Sequence, residues 1–322
     1  MLKINDNIRH KIVKITGNLV SKTILYFFLV CVSFIVLYPV LYMFSMTFRP
    51  ASDMNNPNVI WIPTRFTLTN ISAIWKYMEY PKLLLNTFQV GIISSLLQVA
   101  VCCVVGYGFA RFEFRFKKIW MFILILTMII PPQVVAIPNF LSFSNFDPFF
   151  IVSLRNLIVG NEISVSLLDQ PTIFYMQAAL GMGIRSGLLI FIFRQFFRNL
   201  PKDLEDSSYV DGCGPFRTFF RIMLPNCIPA VVVVLLFSTV WYYNDTYYVS
   251  MYFDNFQTIS SKLLQLSTDI NRFIPDVDKG NPLAILVWLQ AGAALSMLPM
   301  LLLYIICQKF FVESVERTGL VG

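Results

Sequence analysis

Charged residues along this chain come in clusters separated by long apolar runs. Residues 23–48, 83–110, 119–146, 222–244 and 280–308 contain no Asp, Glu, Lys or Arg. Each run exceeds the roughly 20 residues a helix needs to cross the hydrocarbon of a bilayer. A sixth run, 170–193, is apolar apart from Arg185 and keeps the flanking loops on consistent sides. The pattern predicts an all-α polytopic membrane protein with six transmembrane helices. Its parts are an N-terminal tail (1–23), a membrane domain (24–308) and a C-terminal tail (309–322). The intervening loops at 49–82, 145–170 and 250–280 fall on one side, and a polar loop at 198–225 falls on the other.

Composition agrees with this partition. Of 322 residues 57% are hydrophobic and only 13% charged, which is outside the balance of a soluble domain. The basic N-terminus (Lys3, Arg9, Lys11, Lys14, Lys22) precedes an apolar run too long for a secretion signal, so the first helix is expected to be retained. Sorting Lys and Arg by loop puts 16 on the side of the N-terminus and 8 on the other, with Arg185 inside the membrane. The positive-inside rule then places both termini in the cytoplasm of a cell membrane. The net charge of +7 is accounted for by these loops beside anionic lipid, and no nucleic-acid partner is called for. The six cysteines show no CxxC spacing, and His10 is the single histidine, so neither a zinc site nor a histidine nucleophile is indicated.

Several segments carry local signals. The run "IIPPQVVAIP" at 129–138 holds three prolines that bend or break a membrane helix, as a hinge or as a static kink. The outer segment 145–170 carries Asp147, Arg155, Glu162 and Asp169, and reads either as a docking surface or as a lid with one amphipathic helix. Arg185, flanked by Gly181, Gly183 and Gly187, faces a cavity or partner, or else snorkels or pairs with freed carbonyls. The loop "LEDSSYVDGCGPFRTFFRIMLP" at 204–225 predicts a short helix capped by Asn199 or Asp203, with Glu205 and Asp206 in its first turn. A glycine turn follows, then a second amphipathic piece with Phe216, Phe219, Phe220 and Met223 on one face. A helix, a tight turn and a helix make a compact knob that can fill a socket on another protein.

That loop resembles the cytoplasmic loop of the permeases of binding-protein-dependent ABC importers. The family pattern is Glu-Ala-Ala, three residues, Gly, nine residues, Ile, any residue, Leu-Pro. Here Asp206-Ser207-Ser208, Gly212, Ile222, Leu224 and Pro225 stand at those positions with every spacing kept. The stretches "NTFQVGIISS", "GYGFARFEF", "MIIPPQVVAIP", "RQFFRNLP", "VWYYNDTYY" and "KFFVESVERTGLVG" are similar to the maltose-type carbohydrate branch. Asp for Glu, two Ser for two Ala, and Tyr243-Asn244 for the usual Trp-Asn are the departures.

The resemblance implies a type I importer permease fold, with no catalytic residue on this chain and no cofactor bound to it. ATP and Mg2+ would sit on the partner ATPase. Expected partners are a second homologous permease, two cytoplasmic ATPase subunits, an extracytoplasmic solute-binding protein and membrane lipid. Glu205, Asp206, Ser207, Ser208, Asp211, Gly212, Phe219, Phe220, Ile222, Leu224 and Pro225 would couple the ATPase to the pore. For Phe219 and Phe220, packing on the chain's own helices is the competing reading. Arg185, Tyr243, Asn244 and Asp245 are the candidates for the translocation path, and the cargo would be a carbohydrate or a glycerol-phosphate compound. From the residues alone, "GNLVSKT" at 17–23 lacks the second glycine of a phosphate loop, so the chain is not its own ATPase. An ion-coupled carrier would want carboxylates near mid-membrane, where the nearest is Asp245 at a helix end. A membrane enzyme would want clustered acids, and the closest pair is Asp276 and Asp278.

Overall fold

A computed structural model describes residues 6–57, 59–147, 151–159, 164–274, 276, 279 and 281–319. The ends of both tails, together with Glu162 and Asp278, lie outside the described residues. The regular elements are helices, named in chain order: α1 (Asp6–Thr47), α2 (Thr69–Tyr77), α3 (Tyr80–Arg111), α4 (Lys117–Ile129), α5 (Pro132–Ser144), α6 (Ile151–Val159), α7 (Thr172–Ala179) and α8 (Ser186–Asn199). Then come α9 (Asp203–Val210), α10 (Pro215–Thr218), a π-turn (Phe219–Met223), α11 (Leu224–Asn226), α12 (Ile228–Tyr243), α13 (Tyr247–Tyr252), α14 (Ile259–Asp269) and α15 (Pro282–Gly319).

The apolar runs become helices in two ways. Leu19–Thr47, Tyr80–Arg111 and Pro282–Lys309 are single helices long and apolar enough to cross a membrane. Two more runs are bent pairs: α4 and α5 meet at 96°, and the α10–α11 stretch meets α12 at 75°. The first bend is the one the prolines foretell. Ile130 precedes Pro131 and is extended (φ −64°, ψ 123°), because a proline ring disfavours helical geometry in the residue before it. The run 170–193, expected as one helix, is instead two, α7 and α8. Gly181 (φ +72°) and Arg185 (φ +56°) both adopt the left-handed conformation, which stops one helix and starts the next.

The chain divides into two compact units. One holds the chain from α1 to Ile74 together with Ile270–Leu295. Within it, Asn70 Nδ2 donates to the carbonyls of Thr47 (3.0 Å) and Arg49 (2.8 Å), satisfying acceptors that the end of α1 leaves free. The other comprises Trp75–Asp269 and the chain from Ser296 onward. Its spine is α3, against which α7, α8 and α12 pack. One core joins Cys102 and Tyr107 of α3 to Leu189, Phe193 and Phe197 of α8 and to Phe219, Met223 and Val234. A second gathers Val90, Phe143, Ile173, Phe174, Tyr242 and Tyr252.

The α3–α8 contact is close enough to require glycine. A Cβ built on Gly106 would stand 2.5 Å from Phe193 Cβ and 3.0 Å from the Arg194 amide nitrogen, whereas one on Gly108 meets nothing within 4 Å. Alanine is the better helix former by about 1 kcal/mol, but overpacking of a core destabilises by about 1–3 kcal/mol. Gly108→Ala is therefore expected to preserve or raise the thermal unfolding midpoint of the purified protein, and Gly106→Ala to lower it. Equal midpoints for the two variants would contradict this packing.

Candidate functional site

The loop between α8 and α12 folds into a small knob. Its first helix, α9, carries Asp203, Glu205 and Asp206 in its first turn, where negative charge suits the helix dipole. Neither expected cap is used: Asn199 closes α8, Asp203 is already helical, and Lys202 precedes it without a side-chain cap. The helix ends in a Schellman arrangement. The Cys213 N–H donates to the Ser208 carbonyl and the Gly212 N–H to the Tyr209 carbonyl, both at 3.0 Å, with Gly212 left-handed at φ +79°. Ser208 Oγ and Thr218 Oγ1, both buried, lie 2.7 Å apart and fasten the two halves of the knob.

Glu205 ties the knob to the rest of the molecule. Its carboxylate is buried, accepts a hydrogen bond from Tyr107 Oη at 2.7 Å, and lies 3.3 Å from Arg111 Nε. That last contact is ionic and lacks hydrogen-bond alignment. The same guanidinium donates through Nη2 to the Leu200 carbonyl at 2.7 Å. Arg111 therefore holds the end of α3, the residue after α8 and the first turn of α9. Asp206 and Ser207, one position on, are exposed, as are Asp211 and Pro225.

The expected apolar face of the second half is divided. Phe219 (6% exposed) packs on Tyr107 and Phe197, and Met223 is buried beside them. Phe220 (60%) and Phe216 (83%) point outward, and so does Val210 (87%) on α9. The π-turn at Phe219–Met223 adds a residue to the turn and breaks the regular three-and-four spacing. Ile222 and Leu224 pack against the core from its edge. The knob thus has a fastened inner side and an exposed apolar outer side.

Arg185, Tyr243, Asn244 and Asp245 each make their own contacts. Arg185 is exposed, with its guanidinium carbon 5.0 Å from the centre of the Trp241 ring. Tyr243 is buried and donates to the Ser296 carbonyl at 2.6 Å. Asn244 is exposed, and Asp245 accepts the Val249 N–H at 3.0 Å at the start of α13. The polar junction of this unit lies elsewhere. Gln98 Nε2 donates to the Ile184 carbonyl (2.7 Å) and to Ser186 Oγ (2.8 Å), while Ser238 Oγ donates to Gln98 Oε1 (2.7 Å). Gln98 thereby satisfies a carbonyl freed by the α7–α8 break and links it to α12. Gly183 is required beside it, because a Cβ there would be 2.4 Å from Tyr242 Oη.

At the other end of the unit Asp169 clasps two loops. Its carboxylate accepts the backbone N–H groups of Asp254 (3.1 Å), Asn255 (2.9 Å) and Phe256 (2.8 Å) and the Asn255 side-chain amide (2.8 Å). Those donors, led by Phe256 N–H, hold its carboxyl below the usual range.

The family described as "Binding-protein-dependent transport system inner membrane component" matches residues 103–317. The polygalacturonan/rhamnogalacturonan transport system permease protein YtcP of Bacillus subtilis (strain 168) is 26% identical over 90% of this chain and 94% of its own length. The arabinooligosaccharides transport system permease protein AraQ of Halalkalibacterium halodurans is 24% identical over 90% of this chain and 93% of its own. Among solved structures, a bacterial ABC transporter involved in import of the acidic polysaccharide alginate superposes with a TM-score of 0.66. It shares 16% identity and covers 93% of this chain and 97% of that one, a likeness of fold.

The Asp169 clasp sets a pH dependence. A carboxyl whose folded pKa is depressed contributes stability that is complete above its unfolded value of about 3.9 and is lost as pH falls through the folded value. Amide exchange at Asp254, Asn255 and Phe256, corrected for intrinsic rates, is expected to accelerate over that acid range. In Asp169→Asn it is expected to be fast and free of this transition. An unchanged transition in Asp169→Asn would assign the protection to another group.

Proposed function

The chain belongs to the family of binding-protein-dependent transport system inner membrane components, and on that premise we propose that it is one permease subunit of an ATP-driven importer of oligosaccharides. Six crossings are assigned: α1, α3, the bent α4–α5 pair, α7 with α8, α12, and α15. Both termini and the α9 knob then face the cytoplasm, in line with the excess of Lys and Arg on those loops. A second homologous permease completes the pore. Two cytoplasmic ATPase subunits hold ATP and Mg2+, and an extracytoplasmic binding protein delivers the solute. The relatives named for oligosaccharide transport favour carbohydrate over a glycerol-phosphate cargo.

One observation carries the reading: a knob whose outer side exposes Val210, Phe216 and Phe220 while its inner side is fastened through Glu205 to Tyr107 and Arg111. The exposed apolar side is suited to a groove on the ATPase, and the fastened side passes displacement to α3. ATP drives the change between inward-open and outward-open forms through its different affinity for the two. A loose loop would absorb the displacement.

Gly212 provides the test. A Cβ there meets nothing within 4 Å, so a substitution is penalised through backbone conformation alone. The left-handed conformation costs most residues roughly 1–2 kcal/mol, while Asn adopts it with less strain. In proteoliposomes holding the complete transporter, Gly212→Asn is expected to retain most ATP-dependent uptake of oligosaccharide and Gly212→Val to lose most of it. Normal uptake by Gly212→Val would refute the docking role of the knob. Failure of the chain to co-purify with any ATPase would refute the importer assignment itself.

A further inference from the structure

The chain that follows α1 does not leave that helix but folds back along it. Buried Arg49 donates from Nη2 to the Ile60 carbonyl at 2.7 Å and from Nη1 to the Val59 carbonyl at 3.4 Å. Buried Asp53 accepts the Thr64 N–H (2.8 Å) and Thr64 Oγ1 (2.6 Å), and Ser45 Oγ donates to the Trp61 carbonyl. Thr67 N–H closes the return on the Phe48 carbonyl at 3.0 Å. The Trp61 ring then lies edge-on to Tyr38 at 5.0 Å and to Tyr42 at 6.4 Å between centroids. At 1.5 Å per helical residue Tyr38 is about 13.5 Å short of the end of α1, so the returning chain reaches well below that end.

The depth of this contact follows from the span. Counting about 20 residues from Thr23, the first after Lys22, reaches Tyr42, which puts Tyr38 and Tyr42 at the far edge of the hydrocarbon. Trp61 completes there the kind of aromatic girdle found at membrane interfaces. With Trp61 turned to the helix, its neighbours Ile60 and Ile62 are left exposed, and Phe66 and Leu68 follow them; Ile62 and Phe66 are each 77% exposed. Residues 54–64 carry no charge, and the residue that follows them, Arg65, is a cation adjoining Phe66.

We propose that residues 60–68 form a monotopic anchor: Ile60, Ile62, Phe66 and Leu68 enter the outer leaflet and Arg65 meets lipid phosphate. The assignment to the outer leaflet rests on the sidedness given under Proposed function. Lipid suits this surface because apolar side chains at interfacial depth with a single adjacent cation match the headgroup–acyl boundary. The clamps by Arg49 and Asp53 hold the loop in shape before it inserts, so little ordering accompanies insertion.

A photoreactive diazirine amino acid placed singly at Ile62, Phe66 or Ser52 of the full chain, irradiated in native membranes, tests the anchor. Ser52 is exposed on the short turn Ala51–Asn55 and serves as the reference. Mass spectrometry is expected to find lipid adducts at positions 62 and 66 several-fold above those at 52. Adducts to a second permease or a binding protein, or water-quenched product alone, at both positions would overturn the anchor. Sidedness is read separately by mapping where an impermeant maleimide labels Ser52→Cys. Labelling in intact cells agrees with the outer leaflet. Labelling only in inverted vesicles overturns the leaflet assignment and the topology behind it, while leaving lipid adducts as evidence of insertion from the other face.

Discussion

The buried contact of Glu205 with Arg111 and Tyr107 is the constraint on which the knob depends. An eight-residue helix such as α9 has too few internal hydrogen bonds to persist alone in water. It persists because one carboxylate of its first turn is drawn inside and met by a phenol and a guanidinium. Removing one partner of such a pair strands the other charge and destabilises by about 3–5 kcal/mol, although the intact pair adds little over an apolar replacement. The pair therefore gives the knob a fixed position more than it gives the chain stability. Because Arg111 also holds the Leu200 carbonyl, α3, the end of α8 and the start of α9 share one fastening.

From that fastening the connection continues along α3. Gly106 lets the helix approach α8 to backbone contact, which leaves no slack between the two helices. Two turns further on, Gln98 bridges the break between α7 and α8 and reaches Ser238 on α12. A displacement of the knob thus meets a rigid spine and then a junction where three segments are joined by side-chain hydrogen bonds. Polar groups buried this way specify one arrangement when all are paired, and their exchange for another set of partners is a discrete step. On the importer reading, that is the kind of two-state element that ATP binding can bias.

Much of this was legible in the sequence, because hydrophobic run length and turn chemistry are local. The helical class followed from the charge-free runs, the bend at Pro131 from three prolines, and the turn at Gly212 from "DGCGP". What was missed depends on register and neighbours. Glu205 and Asp206 are equivalent as first-turn acids, yet only Glu205 faces Tyr107 and Arg111. Phe219 and Phe220 look equivalent by composition, yet consecutive helical positions point about 100° apart, which leaves one in the core and one exposed. The split of 170–193 came from two left-handed residues rather than from Arg185 as a charge. Gln98 did leave a signal: with Ser94 and Ser95 it is a polar patch at helical spacing inside an apolar run.

On the importer reading, the buried pair of Glu205 and Arg111 converts motion of the knob into motion of the pore helices. The most direct measurement is oligosaccharide imported per ATP hydrolysed, in proteoliposomes containing the complete transporter, for the parent and for Glu205→Gln. The assembled Glu205→Gln complex is expected to hydrolyse ATP still while its import per ATP falls several-fold. An assembled Glu205→Gln complex that imports as much per ATP as the parent would contradict that conversion.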